Sequence, residues 1–568
     1  MPDGMSASLS QRVSPSAMMA HLEEFAKRVK LSGTPQELES FRYLEATLKA
    51  YGYATTLILH DAYISLPGRA ALQVEGTDVP CITHSFSRPS PAGGLVGEIV
   101  DVGRGRAADF AAVDVRGKIA LIDGLASPLP SWLASRAGAI GQIHVSAHEH
   151  RHEMCISPVW GSPTPETREN LPRTVVVTVS DADGAAIRAR LKDGKPATAR
   201  IEAEVDTGWR KTPLLVAELL PDGGAEAPFV LFSGHHDTWH YGVMDNGSAN
   251  ATMLEVARVA ATERARWRRG LRLCFWSGHS HGRYSGSSWY ADRTWAELEQ
   301  RCVAHVNCDS TGGKGATVLS DTPSSTELRG LAADAVRTAG EQAHAGYRMM
   351  RAGDASFWGI GIPSLFMGMG EQPATQGANV AGAILAGGNE TRKGAGFGWW
   401  WHTPDDLLDK IDPDLLARDT RIYVHAIWRL LADERLPHDY ALFAADLSRT
   451  LDGLAAKLGD RLDLAPLRAR LDVLRDKAQA LTSADAGRAN AALLRMGRAL
   501  VPIDYTVADR FHHDPALPIA PYPSLDPLRA LADAKAGSDD EKFLTVAAVR
   551  GLNRVRHAVD QAIQAATL

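Results

Sequence analysis

Four stretches of this sequence carry side chains of the kind that bind divalent metal ions, and three of them close a strand-like run. The first is SGHHDTW, where His235 and Asp237 alternate so that both can face one side of a strand's end. Ten residues after His235 comes Asp245, in VMDNGSAN, just before a helix-like stretch. A second strand-like run ends in FWSGHSHG, with His279, Ser280 and His281, and a third in VNCDST, with Asp309. The fourth stretch is a later loop, WWWHTPDDLLDKID, where His402 precedes Thr403-Pro404, a pair that reads as a helix start. One histidine in a strand is usually a satisfied core residue. Imidazoles and carboxylates repeated at the ends of several strands instead predict a metal site. Such mixed ligation suits zinc, and also serves manganese, iron, cobalt or nickel. A carboxylate bridging two ions would hold them about 3.5–4 Å apart, so one ion or two both fit the pattern.

The elements around these residues must bring them together. From Pro213 onward, apolar strand-like runs (PFVLFSGHHD, RRGLRLCFWSG, CVAHVNCDST) alternate with helix-like ones (GSANATMLEVARVAATERAR, SSWYADRTWAELEQ). That alternation predicts an α/β fold with a mostly parallel sheet covered by helices. Ligands in such sheets bind beyond the carboxyl ends of the strands, which is where the polar residues above fall. Residues from about 16 to 60 read as two helices and a strand, the second helix opening at Thr34-Pro35 with Phe41, Leu44 and Leu48 at helical spacing.

Residues 86–205 change character. Short β-like runs (GLVGEIVDVG, GKIALIDG, RTVVVTV) and one helix-like stretch around Asp181–Leu191 suggest a β-rich inserted domain. It contains HVSAHEHRHEM, with histidines at 144, 148, 150 and 152. No matching ligand cluster lies nearby in sequence, so a solvated loop is preferred here to a metal site. Beyond Leu436 the chain reads as helical. Leu467, Leu471, Leu474, Ala478 and Leu481 form one apolar stripe behind Pro466, and DDEKFLTVAAVRGLNRVRHAVDQAIQAA is a second amphipathic helix. The chain therefore divides into 1–85 and 206–435, which build a catalytic domain, 86–205 inserted between them, and a helical 436–568.

Composition bounds the rest. Of 568 residues 45% are hydrophobic and 23% charged, ordinary for globular protein, and the formal charge is −6. No basic patch or reader motif points to nucleic acid. No run of about 18 apolar residues points to a membrane span, and the N-terminus carries no apolar stretch of leader-peptide length. Five cysteines without CxxC spacing fit a reducing compartment, so a cytoplasmic protein is expected.

GHHDTWHYGVMDNGSANATMLEVARV resembles the first metal motif of the co-catalytic zinc aminopeptidases, and FWSGHSHGRYSGSSWYAD is similar to their W-x-x-E-E-x-G segment. VNCDST and WWWHTPDDLLDKID resemble the third and fourth motifs. GKIALIDG and SPVWGSPTPET resemble the protease-associated domain of the glutamate carboxypeptidase branch. LLRMGRALVP and APYPSLDPLRALADA resemble its dimerisation domain, in the domain order of the transferrin receptor. The resemblance implies His235 and Asp309 as ligands of one metal, His402 as a ligand of the other, Asp245 bridging them, and Asp237 orienting His235. It also implies a homodimer.

The Glu-Glu pair of that family is replaced by His279-Ser280. Serine is a poor ligand, so one metal position loses an anionic donor. His279 becomes a general base or a ligand, with His281 competing for either role. Trp401 stands where the family has a tyrosine that helps hold the oxyanion. Trp399, Trp400, Trp401, Phe357 and Trp358 could line a pocket for an apolar or aromatic substrate, or pack a core. The function expected is metal-dependent hydrolysis of an amide or peptide bond, with small molecules or peptides as substrates. A single-metal amidohydrolase on a non-peptide substrate, or a catalytically silent receptor-like homologue, are the alternatives.

Overall fold

The computed structural model describes residues 3–192, 196–224, 226–320, 322–373 and 398–567. Twelve strands form one sheet: β1 (Ala54–Val74), β2 (Thr77–Val79), β3 (Ile82–Thr83), β4 (Leu95–Gly103), β5 (Ile119–Asp123), β6 (Gly141–Val145), β7 (Val175–Val179), β8 (Ala197–Leu219), β9 (Phe229–His235), β10 (Gly270–Trp276), β11 (Cys302–Asn307) and β12 (Ser364–Leu365). Their order across the sheet is β12-β11-β9-β10-β8-β4-β5-β6-β7-β3, with β1 along β8 and β2 on β1.

β9 lies between β10 and β11 and is parallel to both, and β11 is parallel to β12. Parallel neighbours end on the same side. His235 at the end of β9, the turn after Trp276 in β10 and Asp309 just past β11 therefore emerge along one edge. All three strands are buried at every position, which is why they read as continuous apolar runs.

The inserted region is β-rich, with β4, β5, β6 and β7 paired in parallel around their own core, including Ile99, Leu121, Ile143, Val177 and Ile201. It is not hung on flexible linkers. β4 and β10 pair with opposite ends of β8, and β1 lines β8 along nearly its whole length. Backbone hydrogen bonds thus run continuously from the insert into the strands that carry the site.

Two helix expectations are corrected. SSWYADRTWAELEQ forms two helices, Ser285–Arg293 and Trp295–Arg301, because Thr294 leaves helical geometry and turns its hydroxyl back to the Tyr290 carbonyl at 2.7 Å. Thr403-Pro404 opens a turn, not a helix. His402 is held in the left-handed region, φ 56°, which an α-helix does not contain. The helix instead spans Pro413–Ala432, its first turn capped by the Asp412 carboxylate, which accepts from the N–H groups of Asp414 and Leu415.

In the helical tail Leu467, Leu471, Leu474, Ala478 and Leu481 are all buried, in the same core as Leu254, Leu331 and Tyr423 of the preceding region. The stripe is satisfied within the chain. Left over on the last helix, Asp539–Ala565, are Phe543, Val546 and Val549, which are 72%, 54% and 42% exposed. No described helix is long and apolar enough to cross a membrane.

Candidate metal centre

His235 is buried at the end of β9, and its Nδ1 donates to the carbonyl of Asp237 at 2.8 Å. A carbonyl only accepts, so Nδ1 carries a proton and Nε2 is the nitrogen turned toward the carboxylates. That Nε2 is 3.1 Å from Asp245 Oδ1 and 3.7 Å from Asp309 Oδ2, yet it is buried and makes no hydrogen bond. The other oxygen of Asp245, Oδ2, lies 2.9 Å from His402 Nε2. His402 Nδ1 donates to the Glu153 carbonyl at 2.6 Å, so its Nε2 too is the nitrogen that faces a carboxylate. One carboxylate therefore faces two imidazole nitrogens, each with its tautomer fixed by a backbone carbonyl.

His279 joins them from the turn after β10. Its ring stacks on His235 with centroids 3.8 Å apart and planes 17° apart. His235, His279 and Asp309 each offer a ligand atom, all within 4.8 Å of one another. His279 Nδ1 donates to Asp354 Oδ2 at 2.6 Å, and Asp354 Oδ1 accepts from the Ser287 hydroxyl at 2.7 Å. The free nitrogen of His279 is again Nε2.

The resemblance implied that the Asp237 carboxylate orients His235, whereas the contact at 2.8 Å is made by the Asp237 backbone carbonyl. β9 ends at His235, so the strand alternation stops there and Asp237 orients His235 through its backbone carbonyl. Its carboxylate accepts from the N–H groups of His279 and Ser280 and from the Ser32 hydroxyl, at 3.2, 2.9 and 2.8 Å. It braces the His279-Ser280 turn. His281 is buried with Nδ1 at 3.0 Å from the Ser32 hydroxyl and its ring against Trp239, outside the His235, His279 and Asp309 grouping. Ser280 Oγ is buried without a hydrogen-bond partner.

Charge explains why these residues suit a cation. Burial disfavours a charged His235, but Asp245, Asp309 and Asp237 outweigh it and raise the imidazole to about 10. Burial also opposes ionisation of Asp245, yet His235 and His402 hold it well below the usual carboxylate range. Asp309 is pushed up to about 6 by its burial, against the pull of His235 and with a push from Asp245. Three largely buried carboxylates need compensating positive charge, and the donor set of imidazole nitrogen and carboxylate oxygen is one that divalent ions take.

The histidine run of the insert is not a solvated loop. His144 is buried in β6 beside Gln142, and His152 is buried with Nδ1 donating to the Trp401 carbonyl. The next residue, Glu153, accepts from His402 Nδ1 through its backbone carbonyl and donates its own N–H to the His402 carbonyl at 3.1 Å. The segment docks on a loop 249 positions away, a contact that local reading could not find. Trp400, Trp401, Phe357 and Trp358 are buried in the cores, and Trp401 stacks on His402 at 3.5 Å. Of the five aromatic residues considered for a pocket, Trp399 alone is exposed.

Residues 215–427, which contain His235, Asp245, His279, Asp309 and His402, match the family model described as peptidase family M28. This region is similar to family M28. With the relatives that follow, the match makes the protein a metallopeptidase-like hydrolase. It is 23% identical over 529 residues to a probable glutamate carboxypeptidase of Zea mays, covering 78% of this chain and 70% of that one. It is 23% identical over 417 residues to aminopeptidase YwaD of Bacillus subtilis (strain 168), covering 72% and 82%. A peptidase M28 precursor from Shewanella amazonensis SB2B has a similar fold, with TM-score 0.59 and 19% identity over 76% of this chain and 96% of that one. So does BSAP, a zinc aminopeptidase from Bacillus subtilis, with TM-score 0.56 and 20% identity over 74% and 96%. The α/β architecture expected from the sequence is thus that of the M28 aminopeptidases.

Around the candidate ligand residues, sequence reading missed four that hold them. Ser32, Glu153, Asp354 and Asp406 lie in LSGTP, HEHRHEM, GDASFW and TPDD. Asp406 accepts from the N–H groups of Met244 and Asp245 at 2.8 and 3.0 Å, fixing the backbone of the shared carboxylate. Each acts across the fold, and the only signal in sequence was a polar residue among turn-formers.

Proposed function

We propose that this chain hydrolyses an amide or peptide bond with a divalent metal ion, zinc before others, held by His235, Asp245, Asp309 and His402. The observation that supports this most is Asp245, whose two oxygens face His235 and His402 at 3.1 and 2.9 Å. An ion bound there supplies Lewis-acid polarisation of a carbonyl and acidifies water. The side chains supply the rest. His279 Nε2 accepts a proton beside the His235 and Asp309 donors, where the resemblance implies a glutamate base. Asp354 holds the Nδ1 proton and so keeps that acceptor nitrogen turned inward. Relatives named aminopeptidase and glutamate carboxypeptidase make a peptide the first substrate class to test.

A single-ion reading is favoured by one observation. Ser280 stands where the resemblance implies a carboxylate ligand, so the His402 side keeps only His402 and Asp245 from the proposed set. In that reading His279 is itself a ligand of the His235 position, and the substrate is a non-peptide amide.

Metal content and hydrolysis, measured together on wild type and Asp245→Ala, test both readings. Two ions lost in the variant, with peptide hydrolysis in wild type, support the first. One ion lost, with hydrolysis confined to non-peptide amides, supports the second. No ion lost and no hydrolysis overturns both and leaves a silent homologue.

A further inference from the structure

We propose that His148 and His152, with Glu149 and His150 beside them, form a second site for a divalent transition-metal ion at the seam between the insert and the Trp399–His402 loop. His148 Nε2 and His152 Nε2 face each other at 3.2 Å. A tetrahedral ion with bonds to imidazole nitrogen of about 2.0–2.1 Å sets its ligand atoms about 3.3 Å apart. The two nitrogens already stand at that separation. His152 is oriented as a ligand should be, with Nδ1–H on the Trp401 carbonyl and Nε2 free. His148, Glu149 and His150 can also each place a ligand atom within 4.8 Å of one another. Glu149 Oε1 is 3.4 Å from His150 Nε2, and the His150 ring is held against Trp399, stacked at 4.3 Å and 22°. Glu149 and His150 therefore lie within reach of His148 as further donors.

The ion-free chain has a proton where the metal would go. Two Nε2 atoms at 3.2 Å share one proton, and it sits on His148, whose Nδ1 accepts from the His150 N–H at 3.2 Å. Binding requires that proton to move from Nε2 to Nδ1 of His148, which gives up the His150 contact, a long bond at a half-buried position. The donor set is rich in nitrogen, which suits zinc, cobalt, nickel or copper and not calcium or magnesium. None of these side chains belongs to the His235 centre. Both sites nonetheless meet at residues 401–402, so an ion here would pin the insert to the loop that carries His402.

The test is equilibrium dialysis of the full chain against Zn²⁺. His148→Ala is expected to bind one ion fewer than wild type, and Glu149→Ala combined with His150→Ala to weaken that ion about tenfold or more. Asp245→Ala should keep it while losing the ions of the other centre, so failure of one site is distinguishable from failure of the other. A folded His148→Ala that binds as many ions as wild type overturns the proposal. Should His148→Ala fail to fold, unchanged affinity in the Glu149→Ala, His150→Ala chain overturns it, because both of those side chains reach the surface.

Discussion

At the scale of single residues, the centre is a set of imidazoles whose tautomers are fixed from behind. Asp237 and Glu153 carbonyls free the Nε2 atoms of His235 and His402, and the Asp354 carboxylate does so for His279. Removing a donor should cost metal. His235→Ala and Asp309→Ala are each expected to lose bound ion and all hydrolysis, and full occupancy in both would place the site elsewhere. Removing a proton acceptor should cost rate alone. His279→Ala is expected to keep the ions lost in Asp245→Ala while turnover falls about 10²–10⁴-fold, the usual worth of a positioned base. Loss of ion in that variant, with activity restored by excess Zn²⁺, would make His279 a ligand. Asp354→Asn keeps an oxygen for the Nδ1 proton but removes the charge behind it. We expect kcat to drop about 10-fold or more with KM little changed, since the range runs from about 10–100-fold for partners of metal-bound imidazoles to about 10⁴-fold for the carboxylate behind a general-base histidine. A change confined to KM would assign Asp354 to substrate binding.

At the scale of elements, three parallel strands deliver the site and several buried histidines hold strands and helices around it. His305 in β11 reaches the Ser233 hydroxyl in β9 at 2.8 Å, and His84 beside β3 reaches the Thr178 hydroxyl in β7 at 2.7 Å. His438, at the start of the helical tail, has both ring nitrogens buried without hydrogen-bond partners. Burial lowers all three to about 3. In the unfolded chain each would titrate near 6.5. Between those limits the unfolded chain binds more protons, so stability present above pH about 6.5 is lost as pH falls toward 3. The slope is about 1.4 kcal/mol per pH unit for each group. Urea unfolding with chelator present should show this loss between pH 6.5 and 4. His438→Leu should make it shallower by about one group's share. An unchanged slope in that variant would mean that His438 is charged in the folded chain.

At the scale of the whole molecule, the helical tail was expected to bury its stripe against the body or against a second copy. It uses the body, since Leu467, Leu471 and Leu474 lie in the main core. What remains for a partner is the outer face of the last helix, where Phe543, Val546 and Val549 recur at helical spacing and stay exposed. We propose that this face carries the homodimer contact, because an apolar row in water gains from meeting its own copy about a two-fold axis. Light scattering at micromolar concentration should give a dimer mass for wild type and a monomer mass for Phe543→Asp with Val546→Asp. A monomeric wild type would leave the tail as an internal brace.

The alternation of strands and helices, the buried character of β9, β10 and β11 and the imidazole and carboxylate residues at their ends were legible in the sequence, whereas the break at Thr294 and the turn at His402 were not. Apolar runs and turn residues act over a few positions, and that range is what local reading can see. The motif resemblance added the expectations of a domain order and of a replaced Glu-Glu pair, which stand as proposals. What only the tertiary structure decided were contacts between distant segments. Glu153 on the insert fixes His402, Asp354 fixes His279, Asp406 fixes the backbone at Asp245, and the histidine run lies against Trp399 and Trp401. None has a periodic or spaced signature, because a hydrogen bond between residues far apart in sequence depends on where the sheet carries each of them. The long strand β8, running from the insert to the catalytic strands, is the element that makes those meetings possible.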